Sequence, residues 1–152
     1  MSSATALRRS VTTQILIARP IEDIWAALVD LGRYRDWNPY ITRIEGAAFA
    51  GNTIEVHTRP GDDGAVRVSQ VNVISVAPFC MRWQGGAADR SEFMGDHFFE
   101  LESLAKDETL LRHYEHFSGT RLSEFGPAHE ARVRKNFEQF NEALKAHCEA
   151  WA

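Results

Sequence analysis

The sequence predicts an α+β domain, one antiparallel sheet of about seven strands with its helices gathered on one face. Three observations carry this expectation. Between Ile41 and Ser118, strand-like runs with many β-branched and aromatic residues recur between turn signals. From Pro127 the apolar period changes from two to about 3.6. Ahead of both lies a compact stretch that reads as an apolar strand followed by two short helices.

The first strand is read at Ile15-Leu16-Ile17. Pro20 opens the following helix, where its missing N–H has no intrahelical partner to lose. Ile21, Ile24, Trp25, Leu28 and Val29 recur at helical spacing, and Glu22 and Asp23 suit the positive end of the dipole. Gly32 is read as the stop, with Trp37-Asn38-Pro39 forming a corner after it. Strands follow at Ile41–Phe49, Thr53–Thr58, Val66–Val76, Phe79–Gln84, His97–Leu104 and Thr109–Ser118. Gly61-Asp62-Asp63-Gly64, Gly85-Gly86 and Ala105-Lys106-Asp107-Glu108 read as turns between them. In the last helix, about twenty-five residues long, Val133, Phe137, Phe140, Leu144, Cys148 and Trp151 form one stripe that must pack on the sheet.

The 152 residues, 44% apolar and 25% charged, suit one domain with its own core. Residues 1–10 are read as a flexible tail and 11–152 as the domain. A net charge of -4 with no basic stripe argues against nucleic acid, since Arg132, Arg134 and Lys135 are flanked by Glu130 and Glu138. No apolar run reaches the roughly 18 residues of a membrane span. Cys80 and Cys148 lack metal-type spacing and read as reduced thiols of a cytoplasmic protein. No cofactor and no metal is expected, and nothing supports a homo-oligomer.

The order and spacing of several segments resemble the START/Bet v 1-like (SRPBCC, polyketide cyclase/dehydrase-like) helix-grip superfamily. They are Ala18-Arg19-Pro20-Ile21-Glu22-Asp23-Ile24-Trp25, Tyr34-Arg35-Asp36-Trp37-Asn38-Pro39, Met81-Arg82-Trp83, Gly95 to Leu101, His113 to Gly119, and Asn136-Phe137 through Lys145. The resemblance implies a seven-stranded curved sheet wrapped around the long C-terminal helix, with an apolar cavity between them. It also implies carriage of lipids or polyketide-like molecules, or cyclisation and dehydration inside the cavity. Fold analogy does not choose among these.

Alternation places His97, Phe99 and Leu101 on one strand face, the interior one because it lacks a carboxylate. Leu111, His113, Glu115 and Phe117 share a face of the last strand, and Phe117 with the family pattern favours that face as interior. A hairpin around Lys106-Asp107 then sets His97 across from, or diagonal to, Glu115 and His113. This group has three readings: a general acid–base pair, a set of ligand-orienting groups, or a buried cluster that satisfies itself. A metal site of the three is geometrically open but disfavoured, and His57 is expected to meet solvent. Trp37, Met81, Trp83, Phe137, Phe140 and Leu144 are either core or cavity wall, and Trp37-Asn38-Pro39 reads first as a plug. The leading expectation is binding of a hydrophobic or aromatic small molecule by these residues together with His97, Phe99, Leu101, His113, Glu115 and Phe117. The alternative is a polyketide cyclase- or dehydratase-like enzyme using His97, His113 and Glu115. A protein-interaction module is a third class, without a clear exposed patch to support it.

Overall fold

A computed structural model describes residues 9–151. In chain order the elements are β1 (Arg9–Ile17), α1 (Ile21–Val29), a 3-10 segment (Leu31–Asp36), β2 (Ile41–Glu45), β3 (Thr53–Thr58), β4 (Arg67–Ala77), β5 (Cys80–Gly86), β6 (Met94–Ala105), β7 (Glu108–Ser118), a second 3-10 turn (Leu122–Glu124) and α2 (Pro127–Glu149). The strands form one seven-stranded antiparallel sheet in the order β1-β7-β6-β5-β4-β3-β2. Strands β2 to β7 are therefore a meander, and α1 with the 3-10 segment carries the chain from one sheet edge to the other.

The sheet wraps around α2, whose Phe137, Phe140, Leu144 and Cys148 are buried. Phe140, Leu144 and Cys148 share a core with Ile17 and Leu111 from the sheet and Ile24, Leu28, Leu31 and Tyr34 from the helical corner. A side chain such as Phe140 contributes roughly 1.5–3 kcal/mol on full burial. The Tyr34 hydroxyl donates to the Leu28 carbonyl at 2.5 Å, tying the corner to α1. Desolvation raises its pKa above the usual phenol range.

Both sheet edges are protected. β2 is short and breaks register against β3 between Ile41 and Arg43. β1 is covered by α2: Arg134 donates to the Thr12 carbonyl at 2.8 Å, Lys145 donates to the Leu16 carbonyl at 3.1 Å, and Glu149 accepts from the Ala18 N–H at 2.9 Å.

The structure corrects several boundaries. The first strand begins at Arg9, which pairs with Phe117, so Arg9 and Ser10 belong to the sheet. The rest of the expected tail, residues 1–8, lies outside the described residues. The strand runs on through Thr12 and Gln14, whose side chains are exposed, and Thr13, which is buried. Helix α1 ends at Val29 and Gly32 sits inside the 3-10 segment, while Pro20 is the residue before the first helical turn. Gly85 and Gly86 extend β5, pairing with Gly95 and Met94, and the connection to β6 follows them. β2 stops at Glu45, and Gly46 takes a positive φ of 112° next to Ile54. Both cysteines are free thiols, Cys148 buried and Cys80 half-buried.

Candidate functional site

The hairpin between β6 and β7 brings the candidate polar groups together. Its register pairs Ala105 with Glu108 around Lys106-Asp107, and sets His97 opposite Glu115 and Phe99 opposite His113. His97, His113, Phe99, Leu101, Leu111 and Phe117 all point into the interior and are buried. On the opposite face Phe98 stacks on Tyr114 with ring centroids 4.8 Å apart, and the Arg82 guanidinium lies 5.1 Å from the Phe98 ring.

The two imidazoles sit at the centre of a continuous hydrogen-bonded row. The Trp83 indole N–H donates to His97 Nδ1 at 3.2 Å, and the Nε2 atoms of His97 and His113 lie 2.7 Å apart. His113 Nδ1 lies 2.8 Å from Asn141 Oδ1, Asn141 Nδ2 donates to Thr13 Oγ1 at 2.9 Å, and the Thr13 hydroxyl donates to the His113 carbonyl at 2.8 Å. An indole only donates, which fixes the rest. His97 accepts at Nδ1 and so carries its proton on Nε2. It donates to His113 Nε2, leaving the His113 proton on Nδ1 for Asn141. Both rings are then neutral with every ring nitrogen used. Burial holds the His97 pKa well below the usual imidazole range, reinforced by His113. Burial likewise lowers His113, to about 3, against a smaller opposing effect of the Asn141 hydrogen bond. With the two Nε2 atoms facing each other at hydrogen-bond distance, no room remains between them for an ion.

Glu115 differs from its neighbours. Its Oε1 stands 3.8 Å from His97 Nδ1, a nitrogen already occupied by Trp83, and the carboxyl makes no hydrogen bond among the described residues. Desolvation pushes its pKa up to about 8, with the Asp96 charge a smaller contribution in the same direction. Gly95 makes the space for it, because a Cβ at that position would overlap Glu115 Oε2. The carboxyl borders a cavity of about 650 Å³ between the sheet and the first half of α2. Trp83, His97 and Phe117 line its inner wall, with Tyr40, Val56 and Val71 from the earlier strands and Phe125, Val133 and Asn136 from the C-terminal segment. Burial raises the Tyr40 phenol above its ordinary range, and the Glu115 carboxylate acts in the same direction.

Of the twelve residues proposed from sequence as ligand contacts, Trp83, His97, Glu115 and Phe117 border this cavity. The structure places the others elsewhere. Met81, Phe99, Leu101, Phe140 and Leu144 are packed in the core, and Phe137 stacks on His113 with centroids 4.1 Å apart. His113 is fully buried behind His97, so two of the three acid–base candidates are engaged in the internal row. Trp37 packs between Phe140 and His147, away from the cavity, and Asn38 accepts from the Tyr40 and Ile41 N–H groups. The reason is common to all: the aromatic stripe of α2 fills this half of the space, and the cavity begins where that stripe ends. His57 is half-buried, 2.7 Å from Glu55 Oε1, so it does not simply face solvent.

Reading by residue type missed Asn141, Thr13, Gly95 and Tyr40. Asn141 carried a signal, since it falls four residues after Phe137 and three before Leu144 on an otherwise apolar helix face. Gly95 carried none, because the group that needs its missing side chain lies on another strand.

A sequence profile of the family described as polyketide cyclase / dehydrase and lipid transport matches residues 8–149. Among solved structures, the chain is similar to a START superfamily protein from Mycobacterium smegmatis, with 21% identity, 92% of this chain and 97% of that one covered, and a TM-score of 0.77. It is similar to the Zhui aromatase/cyclase from Streptomyces sp. R1128, with 17% identity, 94% of each chain covered and a TM-score of 0.73. Norcoclaurine synthase from Thalictrum has 14% identity, with 97% and 98% covered and a TM-score of 0.66. No curated protein is significantly similar in sequence.

Proposed function

The chain belongs to the polyketide cyclase/dehydrase and lipid-transport family, and on that premise we propose that it encloses a hydrophobic or aromatic small molecule. The observation that carries this is a cavity of about 650 Å³, within the size range of pockets that hold small organic ligands, walled by Trp83, Phe117, Val71 and Val133. Affinity comes chiefly from removing apolar ligand surface from water, at roughly 25 cal/mol per Å². Glu115 supplies orientation: with its pKa at about 8 the carboxyl is protonated at neutral pH and donates to a ligand carbonyl or hydroxyl. His97 contributes a ring face at the wall, because its nitrogens are committed to Trp83 and His113.

One observation favours a second reading, a cyclase- or dehydratase-like reaction. A protonated carboxyl beside an apolar cavity is suited to give a proton to a leaving hydroxyl. In that reading Glu115 is the acid, and the histidine pair holds the strand that presents it.

The test of enclosure uses the fluorescent apolar probe N-phenyl-1-naphthylamine together with native mass spectrometry of the purified protein. Saturable binding of one probe per chain, lost in Val133→Trp, which fills the cavity, is the expected result. If the probe does not bind, or binds Val133→Trp as well as the parent, enclosure is wrong.

A further inference from the structure

The mouth of the cavity carries charge that its interior does not. On α2, His129, Arg132, Val133 and Asn136 follow one another at helical spacing and border the opening. The same helix face becomes Phe137, Phe140 and Leu144 once it enters the core, so its change to polar residues coincides with the cavity. Across the opening, Arg67 contributes a second guanidinium from the first residue of β4. Both arginines are exposed, and neither has an ion-pair partner among the described residues. The third arginine there, Arg121, is already held by Glu124 at 2.6 Å. The remaining acid of the lining, Glu115, is kept in its neutral form by burial and offsets neither guanidinium. On a chain of net charge -4, two arginines without an ion-pair partner among the described residues line the same cavity.

We propose that this mouth is an anion subsite, in which Arg67 and Arg132 hold the carboxylate, sulfonate or phosphate end of an amphipathic ligand whose apolar body lies inward against Trp83 and Phe117. The assignment rests on the cavity being a ligand site, as proposed above, and adds the class of ligand: an organic acid. Guanidinium groups suit this position because their planar forks pair with an oxyanion through two parallel hydrogen bonds. The neutral Glu115 deeper inside avoids repelling the same molecule.

The test compares two dyes with the same aromatic body, 8-anilinonaphthalene-1-sulfonate and the uncharged N-phenyl-1-naphthylamine. The sulfonate is expected to bind about tenfold more tightly, the worth of one charge-assisted pair. Arg67→Gln/Arg132→Gln should bring its affinity down to that of the uncharged dye while leaving the latter unchanged, with equal thermal melts showing that the fold is intact. Displacement of the sulfonate dye by dodecanoate marks a free acid as the ligand source, and displacement by phosphatidylglycerol vesicles marks a lipid headgroup; either supports the subsite. Equal affinities of the parent for both dyes, or a double variant that binds the sulfonate like the parent, overturn the subsite and leave enclosure standing. Failure of both dyes to bind the parent overturns enclosure itself.

Discussion

At the scale of single residues, the site is governed by which polar groups have partners. Burying an imidazole without a partner costs about 1–3 kcal/mol per lost hydrogen bond, and the row from Trp83 to Thr13 removes that cost for both histidines. Glu115 lacks such help and stays neutral instead. Its position depends on Gly95, so Gly95→Ala tests it directly. The added methyl overlaps Glu115 Oε2 and drives the carboxyl from its place. We expect Gly95→Ala to weaken probe binding and to cost stability only at the low end of overpacking, about 1 kcal/mol, because the displaced carboxyl ends a flexible side chain beside the cavity. Urea denaturation and dye titration check both, and unchanged stability with unchanged binding would show that the carboxyl moves freely. Sequence made His97, His113 and Glu115 visible as a group, because strand alternation and a hairpin register are local properties. It did not show which of them is free, since that depends on Trp83 and Asn141, brought in by other elements.

At the scale of elements, α2 has two separate duties. One face fills the sheet's concave side, and its flank closes the free edge of β1 through Arg134, Lys145 and Glu149. An uncovered edge is a template for pairing with another chain. Arg134→Ala/Lys145→Ala is therefore expected to cost little stability, about 1 kcal/mol, yet to raise concentration-dependent association. Light scattering across a concentration series reads this directly; a double variant as monodisperse as the parent removes the edge-guard role. The element order and sheet content were legible because period-two and period-3.6 patterns are strong here. Boundaries were not. β1 reads as three residues from its apolar run but spans nine, because the edge position admits Ser10, Thr12 and Gln14 on its outward side. The stripe of α2 was equally plain, while its division into a core half and a cavity half depends on sheet curvature, which no local pattern encodes.

At the scale of the whole molecule, the buried titratable groups give stability a definite pH profile. The Glu115 pKa rises from 4.5 to about 8 on folding, so between those values the folded chain keeps a proton that the unfolded chain releases. Stability therefore falls as pH rises through that window. The imidazoles act oppositely: His113 drops from 6.5 to about 3 and His97 also lies well below 6.5. Below 6.5 the unfolded chain takes up protons that the folded one refuses, and stability is lost as pH falls. With two imidazoles against one carboxyl in the acid window, the maximum is expected near 6.5. Glu115→Gln should flatten the alkaline limb and steepen the acid one, because the carboxyl no longer offsets the imidazoles there. Melting temperatures from about pH 4 to 9 test this; a full alkaline slope in Glu115→Gln would assign that limb to another group.

The row of hydrogen bonds through the core also has a direction. Trp83 can only give a proton, and at the far end Thr13 gives its own to the His113 carbonyl, so the order of donors between them runs one way. Replacing Trp83 by phenylalanine would leave the head of the row open, and its direction would then rest on Asn141 alone, whose Oδ1 accepts from His113. Trp83 and Asn141, from opposite ends, thus give the molecule's centre a fixed electrical polarity, and every ligand that enters the cavity meets the same one.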